Sequence, residues 1–242
     1  MGMRLKSCIA WVSVAGLTAA LGAVEPRDVA FVAAHDQSEQ RYVLMLPEAF
    51  EPARPHDLLI CLHGHGSDRW QFAREDRGET RAAREIAAGH RMILVLPDYR
   101  AKTSWMGPAA EADLVQIIAD LKRQYVIRNL VLAGGSMGAT GALTFTALHS
   151  ELVDGVVALN GHANHLEYGS FQEAIQESFG GSKEAIPEEY RKRSAEFFPG
   201  RFTMPIAITA GGRDTTVPPA SVVRLARSIQ EHNACVRLDF AE

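Results

Sequence analysis

The hydrophobic residues of this chain come in short blocks, most of them followed within two residues by glycine or proline. Residues 58–62, 92–96, 130–133, 156–159, 206–210 and 235–240 are such blocks, each of strand length. A block that is apolar on both faces fits a strand covered by helices on each side, and amphipathic stretches lie between the blocks, as parallel strands require. Residues 29–34 and 42–46, separated by the polar turn 35–40, predict an opening hairpin. The clearest helix spans 111–125, where Leu114, Val115, Ile117, Ile118 and Leu121 share one face and Glu111, Asp113, Asp120, Lys122 and Arg123 fall elsewhere. Residues 137–149 and 220–232 have the same character, the second opened by Pro218 and Pro219. The expected fold class is α/β, a mostly parallel sheet flanked by helices.

Residues 162–203 break this rhythm. Tyr168, Phe171, Phe179, Tyr190, Phe197 and Phe198 stand among charges there, with Gly180 and Gly181 as a break, which predicts a small helical insertion over the sheet. The charged run 188–193 within it reads as a solvated helix face.

The first 23 residues stand apart from the fold. Arg4 and Lys6 precede sixteen uncharged residues, 8–23, that end in small side chains before Glu25 and Pro26. That is the pattern of a secretory signal, and the stretch falls short of the roughly 20 apolar residues that a membrane span needs. Cys8 sits at the start of the apolar stretch rather than after small residues at a cleavage site, so no lipid anchor is expected. Residues 24–242 then make one exported domain, secreted or periplasmic. Cys61 and Cys235 lie inside apolar blocks, which predicts buried, unbridged strand residues. With 47% hydrophobic and 22% charged residues the chain is an ordinary globular protein. A formal charge of -4 without a long basic run argues against nucleic acid as a partner.

Three segments carry chemistry. Gly134-Gly135-Ser136-Met137-Gly138 follows one strand directly and leads into a helix. A serine hydroxyl becomes a useful nucleophile when a sharp strand-to-helix turn holds it exposed, and small residues two before and two after let the backbone make that turn. His63-Gly64-His65-Gly66 follows the strand 58–62, and Gly211-Gly212-Arg213-Asp214-Thr215-Thr216-Val217-Pro218 follows the strand 206–210. Asp214 comes 78 residues after Ser136.

In that order the three motifs resemble the alpha/beta-hydrolase superfamily, in particular bacterial esterases and prolyl-oligopeptidase-like serine hydrolases. The resemblance covers about residues 41–242. It implies an alpha/beta-hydrolase fold with the insertion at about 162–203, Ser136 as nucleophile and Asp214 as the acid that orients a histidine. It also implies an oxyanion hole from the backbone N–H groups of His65 and Met137, each stabilising the developing charge by roughly 3 kcal/mol. No cofactor is implied. The expected substrate is a small-molecule or glycan-linked carboxylic ester, with residues 99–108, including Trp105, and the insertion forming its pocket. A prolyl-oligopeptidase-type peptidase and a binding protein that kept the pocket but lost its base are the alternatives.

His63 and His65 also allow a metal reading, since H-x-H opens dizinc sites. Ser67 and Asp68 stand where such a site wants Asp and His, which speaks against it. His162 and His165, which could complete a site, are expected at the pocket mouth or on the surface. The resemblance leaves one gap. The family's catalytic histidine follows the last strand, where this sequence has only Ala241 and Glu242, and His232 precedes that strand at a helix end. The expectation is a chain cut short of its histidine, with a histidine such as His162 moved into the site as the other route.

Overall fold

The computed structural model describes residues 25–242. The segment 1–23, expected to be a signal, lies outside the described residues. Eight strands form one sheet: β1 (Arg27–Val32), β2 (Glu39–Met45), β3 (His56–Leu62), β4 (Ile93–Pro97), β5 (Ile127–Gly135), β6 (Gly155–Leu159), β7 (Ile206–Gly211) and β8 (Val236–Ala241). They run in the order β1-β2-β4-β3-β5-β6-β7-β8. The opening hairpin forms as expected, with Val32 opposite Glu39, and β2 continues antiparallel onto β4. All later pairings are parallel.

Each parallel step needs a crossover, and helices supply it. Between β3 and β4 run α1 (Gln71–Arg74) and α2 (Gly78–Gly89), and α3 (Pro108–Gln124) links β4 to β5. α4 (Met137–Leu148) links β5 to β6, and α7 (Ala220–Gln230) links β7 to β8. α5 (Gln172–Phe179) and α6 (Pro187–Lys192) make up the insertion after β6. The main core packs α3, α4 and α7 on one face of the sheet, through Leu114, Ile118, Leu143, Phe145, Leu225 and Ile229. A smaller core lies under α1 and α2, around Val43, Leu59, Phe72 and Leu94. α4 is buried on every side from Met137 to Ala147, so it is the central pillar behind the site. On the sheet face opposite the main core, Val157, Leu159 and Ala207 remain half-buried.

Several polar positions differ from the sequence-based expectation. Asp113 is not on the solvent side of its helix; it is buried, and Arg100 grips it through Nε at 2.5 Å and a second N–H at 2.9 Å. The run 188–193 is a solvated face only in part: Glu188, Arg191 and Lys192 are exposed, but Tyr190 and Arg193 are fully buried. Burying a guanidinium is tolerable only when its donors are matched, and three matches are present. Arg193 donates to Glu189 at 2.6 Å, to Glu111 at 2.7 Å and to the Met106 carbonyl at 2.7 Å. Glu111 is accordingly half-buried rather than outward-facing; burial pulls its pKa upward, but His149 and Arg193 outweigh that and hold it at about 2.

Cys61 is buried on β3, and burial pushes its thiol pKa well up. Cys235 is only half-buried and sits one residue before β8 instead of within it. With β5, β6 and β7 between their strands, the two are about 19 Å apart, far beyond disulfide reach. No helix among the described residues is long and apolar enough to cross a membrane.

Candidate active site

Ser136 stands between β5 and α4 with φ 55° and ψ -118°, a conformation that an L-residue holds only under constraint. Two hydrogen bonds impose it: the Ser136 N–H donates to the Leu159 carbonyl at 2.9 Å, and the Ser136 carbonyl accepts from the Thr140 N–H at 3.0 Å. The glycines around it are packing requirements. A Cβ on Gly138 would lie 2.0 Å from the Leu62 carbonyl oxygen, and one on Gly134 would lie 2.3 Å from the backbone of Gly138. The turn therefore aims the serine hydroxyl away from the helix, which it does not cap. Met137 is the first residue of α4, so its N–H has no intrahelical acceptor and points with the positive end of the helix dipole toward the site.

The loop after β3 is pinned against this turn. A Cβ on Gly64 would lie 3.7 Å from the Gly135 carbonyl oxygen, which puts the loop beside the residue before Ser136. Several bonds hold it: the Gly64 N–H donates to Gln71 Oε1 at 2.9 Å, the Gly66 N–H to the Lys102 carbonyl at 2.9 Å, and Tyr99 Oη to the His63 carbonyl at 2.5 Å, besides the contact of His63 Nε2 with the Asp98 carbonyl at 3.1 Å. Another runs from Trp105 Nε1 to His65 Nδ1 at 3.2 Å. Because indole only donates, Nδ1 must be the unprotonated nitrogen and the proton of the neutral His65 ring sits on Nε2. Burial keeps the ring neutral by lowering its pKa.

Asp214 follows β7 in a tight turn. Its Oδ1 accepts from the N–H groups of Thr216 at 2.9 Å and Val217 at 2.8 Å, while Oδ2 has no partner among the described residues. One strand, β6, separates β5 from β7, so the backbones carrying Ser136 and Asp214 are about 10 Å apart. That gap suits a single imidazole bridging a hydroxyl and a carboxylate.

No imidazole of the described residues fills it. All nine histidines of the sequence fall within residues 25–242, and none hydrogen-bonds to Ser136 or Asp214. His232 bonds the Pro199 carbonyl, and nearby Arg201 bonds the Ala147 carbonyl eleven residues along α4 from Ser136, about 16 Å away. His162 has not moved into the site. It is fully buried, stacked on Tyr168 at 3.9 Å and edge-on to His165 at 4.5 Å. The expectation that His162 and His165 lie at the pocket mouth or on the surface is overturned, because the insertion folds over both. Burial lowers the pKa of His162 to about 3 and that of His165 well below the usual imidazole value. Among the described residues, no group of three or more His, Cys, Asp or Glu is arranged to hold a metal.

Residues that no motif pointed to complete the surroundings. Gln71 lies in an unremarkable helix turn, and its role shows only in its bond to Gly64. Tyr168 Oη donates to the Thr216 carbonyl at 3.0 Å and so ties the insertion to the Asp214 turn. Arg193 fixes the carbonyl of Met106, next to Trp105, from the insertion side.

A strand, a constrained serine and a buried helix, faced by a glycine loop after β3 and an aspartate turn after β7, define the class of alpha/beta hydrolases. The sequence profile of the alpha/beta hydrolase fold matches residues 57–201, more than half of the chain, and the chain belongs to that family. No curated protein sequence matches it. Among solved structures, the substrate-bound Staphylococcus aureus fluorophosphonate-binding serine hydrolase F superposes with a TM-score of 0.69 at 15% identity, covering 90% of each chain. A thermostable esterase gives 0.65 at 20% identity over 90% of this chain and 54% of its own. The Pyrococcus horikoshii acylaminoacyl peptidase gives 0.68 at 14% identity, over 92% of this chain but 38% of its own length. The chain thus spans about half of that esterase and well under half of that peptidase.

Proposed function

We propose that this chain is the catalytic core of a serine hydrolase that cleaves carboxylic esters through an acyl-enzyme on Ser136. Ser136 Oγ bonds to the ester carbonyl carbon and its proton passes to an imidazole. The carbonyl oxygen takes the negative charge between the N–H groups of His65 and Met137, and the C–O bond to the alcohol breaks as the imidazolium protonates the leaving oxygen. Water then repeats the sequence and frees the acid. Asp214 Oδ2 is the atom left to receive the imidazole N–H. None of the nine histidines present hydrogen-bonds to Ser136 or Asp214, so the base is the one member of the triad that this reading leaves to the labelling test.

The observation that carries this reading is the constrained backbone of Ser136, which costs about 1–3 kcal/mol and has no use in a turn that merely packs a helix. The test is labelling with a fluorophosphonate probe, on this chain and on a form extended at its C-terminus, with Ser136→Ala as control. Labelling at Ser136 that rises at least a thousandfold in the extended form is expected, in line with removal of a triad member elsewhere. No labelling in either form would leave a binding protein, and turnover of amides but not esters would make it a peptidase. Export rests on Arg4, Lys6 and the apolar stretch 8–23. N-terminal sequencing of the exported form should then read from close to Val24.

A further inference from the structure

Aromatic rings form a continuous wall from the oxyanion loop to the acid turn. His65 faces Phe171 at 4.3 Å between ring centroids, Phe171 faces Trp105 at 5.4 Å, and Trp105 faces Tyr168 at 5.6 Å. The far end of the wall is anchored where Tyr168 Oη meets the Thr216 carbonyl, two residues from Asp214. The near end is His65, beside Ser136. The wall therefore spans the same two strand ends that the hydrolytic chemistry needs.

Its members are not equally accessible. Trp105 is 0% exposed and Tyr168 only 4%, so neither can lend a ring face to a ligand. Phe171 is 36% exposed, although it sits against two buried or half-buried rings and would lose water contact by moving inward. It also holds a left-handed φ of 53° as the residue that opens α5, where asparagine or glycine would fit without strain. A phenyl ring is thus presented to solvent directly over His65. The His65 ring, with Nδ1 occupied by Trp105, leaves its Nε2–H as a donor without an acceptor among the described residues.

Resting on the reading of Ser136 as the nucleophile, we infer that the site selects esters that carry a flat aromatic ring, which stacks on Phe171 while His65 Nε2–H meets a polar substituent. Offset or tilted stacking adds attraction beyond the area buried, and an alkyl chain gains only the area. Phe171 is then the specificity-determining residue, and His65 serves the oxyanion through its backbone and the ring through its side chain.

Binding to the Ser136→Ala chain tests this without requiring turnover. Methyl 4-hydroxycinnamate and methyl decanoate would be titrated calorimetrically against Ser136→Ala alone and combined with Phe171→Ala or Phe171→Tyr. The aromatic ester should bind about three- to tenfold tighter than the alkyl ester, a ratio that Phe171→Ala removes and Phe171→Tyr keeps. Equal affinities, no binding of either ester, or a preference that survives Phe171→Ala would overturn the inference. Failure of the nucleophile reading would show separately, as absent fluorophosphonate labelling of the wild-type serine in the extended form alongside unchanged aromatic binding in the alanine background.

Discussion

Arg193 donates a hydrogen bond to the carbonyl of Met106 across 87 residues of sequence, at 2.7 Å and in the complete absence of solvent. The same guanidinium holds Glu189 on α6 and Glu111 on α3. One side chain thereby locks the insertion onto the main domain and fixes the loop that carries Trp105, whose indole orients His65. Met106 and Trp105 both adopt left-handed φ values, 58° and 45°, so this loop needs such a clamp.

Arg193→Met removes the charge but leaves Glu111 and Glu189 facing it. Breaking a buried pair from one side costs about 3–5 kcal/mol, and that loss is expected in urea unfolding at neutral pH. Arg193→Lys should recover only part of it, because an ammonium cannot reproduce three diverging guanidinium bonds. Full stability in Arg193→Met would mean that the network carries no net stabilisation.

Gly138→Ala tests the turn at Ser136. The added methyl meets backbone rather than a movable side chain, 2.0 Å from the Leu62 oxygen and 2.8 Å from the His63 oxygen. Relief requires α4 to move away from the end of β3, at a cost of at least about 2 kcal/mol, within the range seen for overpacked cores. A lowered urea midpoint together with loss of fluorophosphonate labelling is the expected outcome; wild-type behaviour in both would contradict the packing described.

Gln71→Leu leaves the Gly64 N–H without its acceptor. An unpaired, partly buried amide costs about 1–3 kcal/mol, and the loop that carries the His65 N–H loses one of its ties. The labelling rate at Ser136 should fall about tenfold or more, because misplacing one oxyanion donor weakens stabilisation of the transition state. Gln71→Glu, which retains an acceptor oxygen, should lie closer to wild type.

Acid should destabilise the fold earlier than carboxylates alone allow. His162 and His165 are buried neutral, with folded pKa values far below the unfolded value near 6.5, so the unfolded chain binds more protons than the folded one as pH falls. Their contribution is fully present above pH 6.5 and is lost toward pH 3, at up to about 1.4 kcal/mol per pH unit for each histidine. Glu111 adds its own loss only below its unfolded pKa near 4.5, as pH approaches 2. Urea midpoints measured between pH 7 and 4.5 therefore report on the buried histidines together, with His63 and His65, whose pKa values burial also lowers, adding to His162 and His165. The slope should be shallower in His162→Phe, and an unchanged slope would show that the His162 ring does not stay neutral in the folded state.

Much of this protein was legible in order along the chain. The central strands follow from short apolar blocks, because backbone pairing and two-sided burial both act over strand length, whereas the edge strands β1 and β8 are mostly exposed. The turn at Ser136 was readable for the same reason: its two glycines, the preceding strand and the following helix are all local. α1 and α2 were not singled out, since α2 presents alanines and arginines and almost no large apolar residue to mark an inner face.

What sequence alone determined is therefore the strand-and-helix order and the serine turn, features set within a few residues by backbone sterics and side-chain periodicity. Tertiary structure alone decided which polar groups are buried. Asp113 is inside because Arg100 reaches it, Arg193 because Met106 and Glu111 meet it from more than eighty residues away, and His162 and His165 because the insertion closes over them. Desolvating a polar side chain is acceptable only where a partner compensates or surrounding packing outweighs the cost, and those neighbours exist only once distant segments have come together.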